Sequence, residues 1–169
     1  MYKIFGAIGN IQNVDGFLKN IREYSEENKI IIQVFNADFI FGEKHLISAF
    51  EHAKRAMERK TNTTNSLEME ILLYAAGERQ LKKAIPKIGV KKGVNNLAFI
   101  LIDTNEEKLD QIAKQFIKQF SLRREDKVLE GNKNTLKKFG LTEKEINTVT
   151  KNKYPDLILE KIAMVDIMK

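Results

Sequence analysis

Residues 65–92 read NSLEMEILLYAAGERQLKKAIPKIGVKK. Leu67, Met69, Ile71, Leu72, Leu73, Tyr74, Ala75 and Ala76 make a helix that is apolar nearly all round and stops at Gly77. A helix without a wet side has to lie between layers, so this one is predicted to form the centre of the domain. Asn65 and Glu68 have capping-box spacing at its start. Beyond Gly77, Leu81, Ala84, Ile85 and Ile88 predict a second, amphipathic helix, which Pro86 ends or kinks. The same segment, 79–92, holds Arg79, Lys82, Lys83, Lys87, Lys91 and Lys92 and no acid.

Working outward, residues 2–8 (YKIFGAI) read as a short strand and 29–35 (KIIIQVF) as a buried one. Between them, Val14, Phe17, Leu18 and Ile21 give residues 14–26 helical spacing. A loop at 36–42 precedes a long helix at 43–60, whose core stripe is Leu46, Phe50, Ala53 and Met57. The polar run TNTTN at 61–65 separates it from the apolar helix. On the C-terminal side, 96–103 (NLAFILID) is another buried strand. Thr104 with Glu107 predicts the cap of a helix striped by Leu109, Ile112, Ala113, Phe116, Ile117 and Phe120. Residues 122–131 alternate weakly and predict an edge strand guarded by Arg123, Arg124 and Lys127. Short helices follow at 134–139 and 143–149, the second with a Thr142/Glu145 capping box, and Pro155 opens a last helix. Few strands and many helices in irregular order predict a single α+β domain over 1–169. Its small mixed or antiparallel sheet is covered by several helices.

Of the 169 residues, 43% are hydrophobic and 31% charged, the balance of a globular domain. Cysteine is absent, which removes disulfides, thiolate nucleophiles and thiolate zinc, and fits a cytoplasmic protein. The start, MYKIFGAIGN, is too short and polar for a signal peptide, and no run suits a membrane span. The formal charge of +6 equals the excess carried by residues 79–92 alone. A local excess of this kind points to a phosphate-rich partner or to a solvated lysine-rich face.

Catalytic motifs are missing. The chain has no phosphate-binding loop, no dinucleotide fingerprint and no nucleophile elbow. Gly6 and Gly9 are isolated glycines. His45 and His52, seven residues apart with Glu51 nearby, lack the four-residue spacing of a helical metal pair. We expect no metal, no cofactor and no catalytic residue, with His45 as a packing or capping residue at a helix start.

On the long helix His52, Arg55 and Arg59 lie opposite the core stripe, and Lys60 follows. Arg79, Lys82 and Lys83 share a side, and Lys87 and Lys91 extend the charge. These eight cations, Arg55, Arg59, Lys60, Arg79, Lys82, Lys83, Lys87 and Lys91, are the candidate RNA contacts. The arginines are the sharpest of them, because a guanidinium holds phosphate in a planar fork. Glu70 interrupts the core helix and needs a basic partner, with Arg79 a candidate, or access to the surface. The final helix is apolar on more than one face. Leu157, Ile158, Ile162 and Val165 are its candidate partner-binding residues, the alternative being a helix tucked into the core.

The run Leu67-Glu-Met-Glu70-Ile-Leu-Leu-Tyr-Ala-Ala-Gly77-Glu-Arg79-Gln80, continuing to Ala84, Ile85 and Gly89, resembles the small PRPK-binding (CGI-type) subunit of the KEOPS complex. Supporting stretches are Gly42-Glu-Lys-His45-Leu46 with Ala49, Ala53 and Ala56, and Asp156-Leu-Ile-Leu-Glu160-Lys-Ile-Ala163. The resemblance covers nearly the whole chain. Glu78 and Leu81 depart from it, at places that usually carry a small or hydroxyl residue and Ile. It implies a non-catalytic regulatory subunit for threonylcarbamoyl modification of tRNA. Such a subunit binds the Bud-type kinase/ATPase, serves the threonylcarbamoyl transferase indirectly, and helps hold the tRNA through its acceptor end. Two rival readings are a stand-alone RNA-binding module and a small enzyme using His45 or His52.

Overall fold

A computed structural model describes all of residues 1–169 and contains an antiparallel four-stranded sheet with helices on both faces. Strand β1 (Tyr2–Ile11) pairs along its full length with β3 (Gly93–Ile102), from Tyr2 opposite Ile102 to Ile11 opposite Gly93. Strand β2 (Ile31–Asn36) flanks β3, and the two-residue β4 (Arg123–Arg124) flanks β1, giving the order β2-β3-β1-β4. The predicted α+β class holds, and the sheet is antiparallel rather than mixed.

Alternation along the strands builds two cores. Phe5, Val34, Leu97, Phe99 and Leu101 face helices α1 (Val14–Asn28) and α5 (Glu106–Gln119). There Phe5 stacks on Phe99 at 5.0 Å, and Phe116 meets both. Ile4, Phe35, Ala98 and Ile100 face the larger core. That layer contains α2 (Gly42–Arg59), α3 (Leu67–Ala76), α4 (Leu81–Ile88), α6 (Lys133–Phe139) and α8 (Tyr154–Met168). The four-residue α7 (Glu143–Ile146) joins α6 to the last helix. Helix α3 is buried from Glu70 to Ala76 among β2, α2, α4 and α8, as its lack of a polar side requires.

Several boundaries differ from expectation for local reasons. The first strand runs to Ile11, not 8, because β3 begins at Gly93 and supplies partners that far. Ser66, not Asn65, caps α3 by accepting from the Met69 amide, and Asn105, not Thr104, caps α5 through the Lys108 amide. The predicted edge strand at 122–131 shrinks to Arg123–Arg124, since the Asp126 carboxylate takes the Gly6 N–H at 3.0 Å in place of a further ladder bond. A one-turn 3₁₀ helix, Asp126–Leu129, follows. A Cβ on Gly6 would lie 2.6 Å from Val128 Cγ2, and one on Gly9 2.6 Å from Leu122 Cδ2, so the two glycines admit this returning segment. Helix α4 passes through Pro86 to Ile88, and Ile85, expected in its core stripe, is 49% exposed.

Candidate nucleic-acid and partner surface

The core side of α2 is Leu46, Ala49, Ala53 and Ala56, which leaves Arg55 and Arg59 exposed on the other side. Helix α3 ends at Gly77, whose φ of +66° favours glycine, and the turn carries the exposed Arg79 away from the core. The last turn of α8 lies over both helices and gathers these pieces. Asp166 accepts from the Tyr74 hydroxyl and, at 2.7 Å, from His52 Nδ1, whose ring stacks on Tyr74 at 5.4 Å. Lys169 lies 4.4 Å above the Tyr74 ring and reaches Glu70.

Three predicted arginines converge here. Arg55, Arg59, Thr61, Asp166 and Lys169 line a hollow of about 290 Å³. Arg79 Nη1 donates to the Met168 carbonyl at 3.4 Å. None of the three arginines takes part in an ion pair. The Arg79 bond to a carbonyl at the end of α8 is that of a cation at a helix C-terminus, and it leaves most of that guanidinium free.

The remaining cations separate. Lys60 is exposed in the left-handed turn that ends α2. Lys82 borders a shallow depression with the 63–66 loop, Met69 and Gln80. Lys83 and Lys91 are exposed, and no side-chain bond ties either to the arginines. Lys87 corrects the sequence reading: it is drawn inward, 3.6 Å from Glu78 and 3.9 Å above the Phe139 ring. Burial lowers its pKa, with Glu78 opposing. Glu78 therefore neutralises Lys87 and leaves Arg79 without a carboxylate partner.

Glu70 does not meet Arg79 either. It is fully buried and accepts from the Thr63 and Thr64 amides, the Thr64 hydroxyl and Lys169. Burial raises its pKa, but these donors outweigh burial and hold the carboxyl below its ordinary range. Burial, then Asp166, likewise raises Tyr74, so the phenol remains a donor.

The four predicted partner-binding residues are also corrected. Leu157, Ile158, Ile162 and Val165 are 8%, 1%, 0% and 0% exposed, and they belong to the core beneath α8. The helix keeps a second apolar strip on its outside, with Met164 at 42% and Ile167 at 75% exposure. One apolar strip anchors the helix and the other is exposed. The doubled strip is legible in the sequence, but the four residues singled out there lie on the side that the fold buries. Sequence reading missed Tyr74, Asp166 and Lys169 because nothing local marks residues joined only by tertiary structure.

His45 behaves as a structural residue. Its Nδ1 accepts from the Phe41 amide at 3.0 Å, so the proton sits on Nε2, which donates to the Ala75 carbonyl at 2.7 Å. Burial lowers its pKa from 6.5 to about 4. The neutral form is the folded form, so the ring's contribution is complete above pH 6.5 and disappears as pH falls toward 4. A shift of this size corresponds to about 3 kcal/mol. We expect the His45 ring to remain neutral at pH 5.5 by NMR titration; protonation there would show the site to be open.

No group of three or more His, Asp or Glu is placed to hold a metal ion, and no helix is long and apolar enough to cross a membrane. A family model described as "Kinase binding protein CGI-121" matches residues 8–166. A curated relative, "Regulatory protein Cgi121" of Methanocaldococcus jannaschii, is 32% identical over 141 residues, 81% of this chain and 84% of that protein. Residues 8–166 contain the end of β1, the other three strands, the buried α3 and all three arginines. With one family model spanning residues 8–166, from strand β1 to the last turn of α8, this chain belongs to the CGI-121 family of kinase binding proteins.

Proposed function

We propose that the chain is the non-catalytic regulatory subunit of a cytoplasmic KEOPS-type complex that forms threonylcarbamoyladenosine on tRNA. It binds the Bud-type kinase/ATPase and helps to recruit tRNA by its acceptor end. The observation that carries this reading is the convergence of Arg55, Arg59 and Arg79 on one end of α8, exposed and outside every ion pair. Guanidiniums outside any ion pair, two on helix α2 and one on the turn after α3, suit phosphate. Lys60, next to Arg59, lengthens the cationic surface beside this centre, and Lys82, Lys83 and Lys91 add exposed charge on and after α4.

The family description supports a kinase partner. For its docking we assign Met164 and Ile167, the exposed apolar pair on α8. The Bud-type kinase would hold the ATP, and threonylcarbamoyl transfer would belong to the transferase subunit. The rival enzyme reading loses His45, both of whose ring nitrogens are occupied internally.

The test uses the purified chain, the kinase and tRNA. Binding of tRNA should weaken with salt, with a slope of about −2 for three neutralised phosphates of a single strand. Trimming the acceptor end should lower affinity. Ile167→Asp should abolish kinase pull-down while leaving the melting temperature unchanged. Salt-independent binding, indifference to the trimmed end or intact pull-down would each remove the corresponding part of the proposal.

A further inference from the structure

The outer edge of β2 carries none of the charges or prolines that commonly guard a free strand. Ile31–Asn36 reads IIQVFN, with no lysine, proline or charge to deter pairing. The Val34 N–H turns away from β3 and donates to its neighbour's Gln33 Oε1 at 2.9 Å. Antiparallel alternation turns the N–H and C=O of Ile32 the same way. Gln33 Nε2 is held by the Glu68 carbonyl at 2.8 Å. The Gln33 carboxamide thus occupies the place that the carbonyl of an added strand would take.

This edge is the floor of a mainly apolar groove of about 540 Å³. Leu18 and Arg22 of α1 form one wall, and Met69 of α3 with Ile85 of α4 form the other. Leu18 and Ile85 stand at the rims, 36% and 49% exposed. The walls belong to opposite helical layers, so a chain lying along β2 would direct successive side chains to each in turn. That is the two-residue period of a strand. A helix would bring no free backbone groups to Ile32. Pairing with the β2 of a second copy does not fit, because that edge is equally sunken between helices.

We infer that this groove receives an extended segment of another polypeptide, about five residues long, added as a strand beside β2. Its alternate side chains are apolar, and its backbone replaces the Gln33 carboxamide at Val34. The inference does not depend on the RNA surface, which lies on α2, α3 and α8.

The probe is a phage-displayed library of random peptides panned against the whole chain. The expected result is enrichment of sequences with alternating apolar residues. A synthetic copy of the leading peptide should slow hydrogen exchange at the Ile32 and Val34 amides. N-methylation of its alternate amides should weaken binding at least about tenfold, as should Leu18→Glu or Ile85→Glu, which alter exposed side chains only. Gln33→Ala, lacking the internal competitor, should bind the peptide more tightly. No enrichment, binding that survives N-methylation, or protection confined to other amides overturns the inference. Self-association of the chain that protects the same two amides also overturns it, in favour of a second copy.

Discussion

Reversing Arg59 and Arg79 together, as Arg59→Glu/Arg79→Glu, should lower tRNA affinity about a hundredfold near physiological salt. A charge-assisted hydrogen bond contributes about 1.5–3 kcal/mol, so removing two reaches about 3 kcal/mol before any repulsion from the new carboxylates. The plot of log affinity against log salt should flatten by about 1.4, which is about 0.7 for each single-strand phosphate no longer neutralised. Neither side chain holds the fold together. Arg59 makes no hydrogen bond to another side chain, and Arg79 makes only its long bond to Met168. Melting should therefore be unchanged, and kinase binding with it. Arg123→Glu, on the exposed edge strand β4, serves as the control for a reversed arginine elsewhere on the surface. A comparable fall in affinity from that control would reduce the cluster to one part of a diffuse field.

Glu70→Ala should destabilise the chain by about 3–5 kcal/mol, the cost expected when one partner of a buried ion pair is removed. For a domain of this length that is a fall in melting temperature of about 10 °C. The magnitude follows from what the carboxylate satisfies: two amides and a hydroxyl of the 63–64 loop, together with the Lys169 ammonium. Glu70→Gln keeps one acceptor and should cost less. The carboxyl's depressed pKa sets the sign with pH. Its contribution is present above the ordinary carboxylate range and disappears as pH falls through the folded value, so wild type and variant should converge in acid. Because Lys169 ends α8 beside Arg55 and Arg59, freeing it should also loosen that end of the helix. Thermal melts at pH 7 and pH 3 check both effects, and a change under about 2 °C at pH 7 would contradict the pairing.

The sequence was most legible where one residue type answers to one local requirement. The all-round apolar 67–76 segment had to be central, and it is. Thr142 and Glu145 had to cap a helix, and both capping bonds form. Gly77 had to end one, through its left-handed conformation. Legibility failed where a residue's environment comes from distant parts of the chain. Glu70 demanded a partner by its burial, yet the partner is Lys169, ninety-nine residues away. Lys87 looked like its lysine neighbours until Glu78 and Phe139 enclosed it. Ile85 had the spacing of a core residue and faces a groove instead.

The chain alone determined the order of its helices and strands, the burial of α3 and the presence of a cationic segment, because periodicity and caps act over a few residues. Tertiary structure alone decided which cations gather. Arg55 and Arg59 on α2 and Arg79 beyond α3 each come to the end of α8, the first two lining a hollow with Asp166 and Lys169 and the third bonding Met168. It also decided which apolar strip of α8 is inside and which is free. Packing fixes a helix's rotation about its axis, and when two strips are equally apolar no local pattern can choose between them.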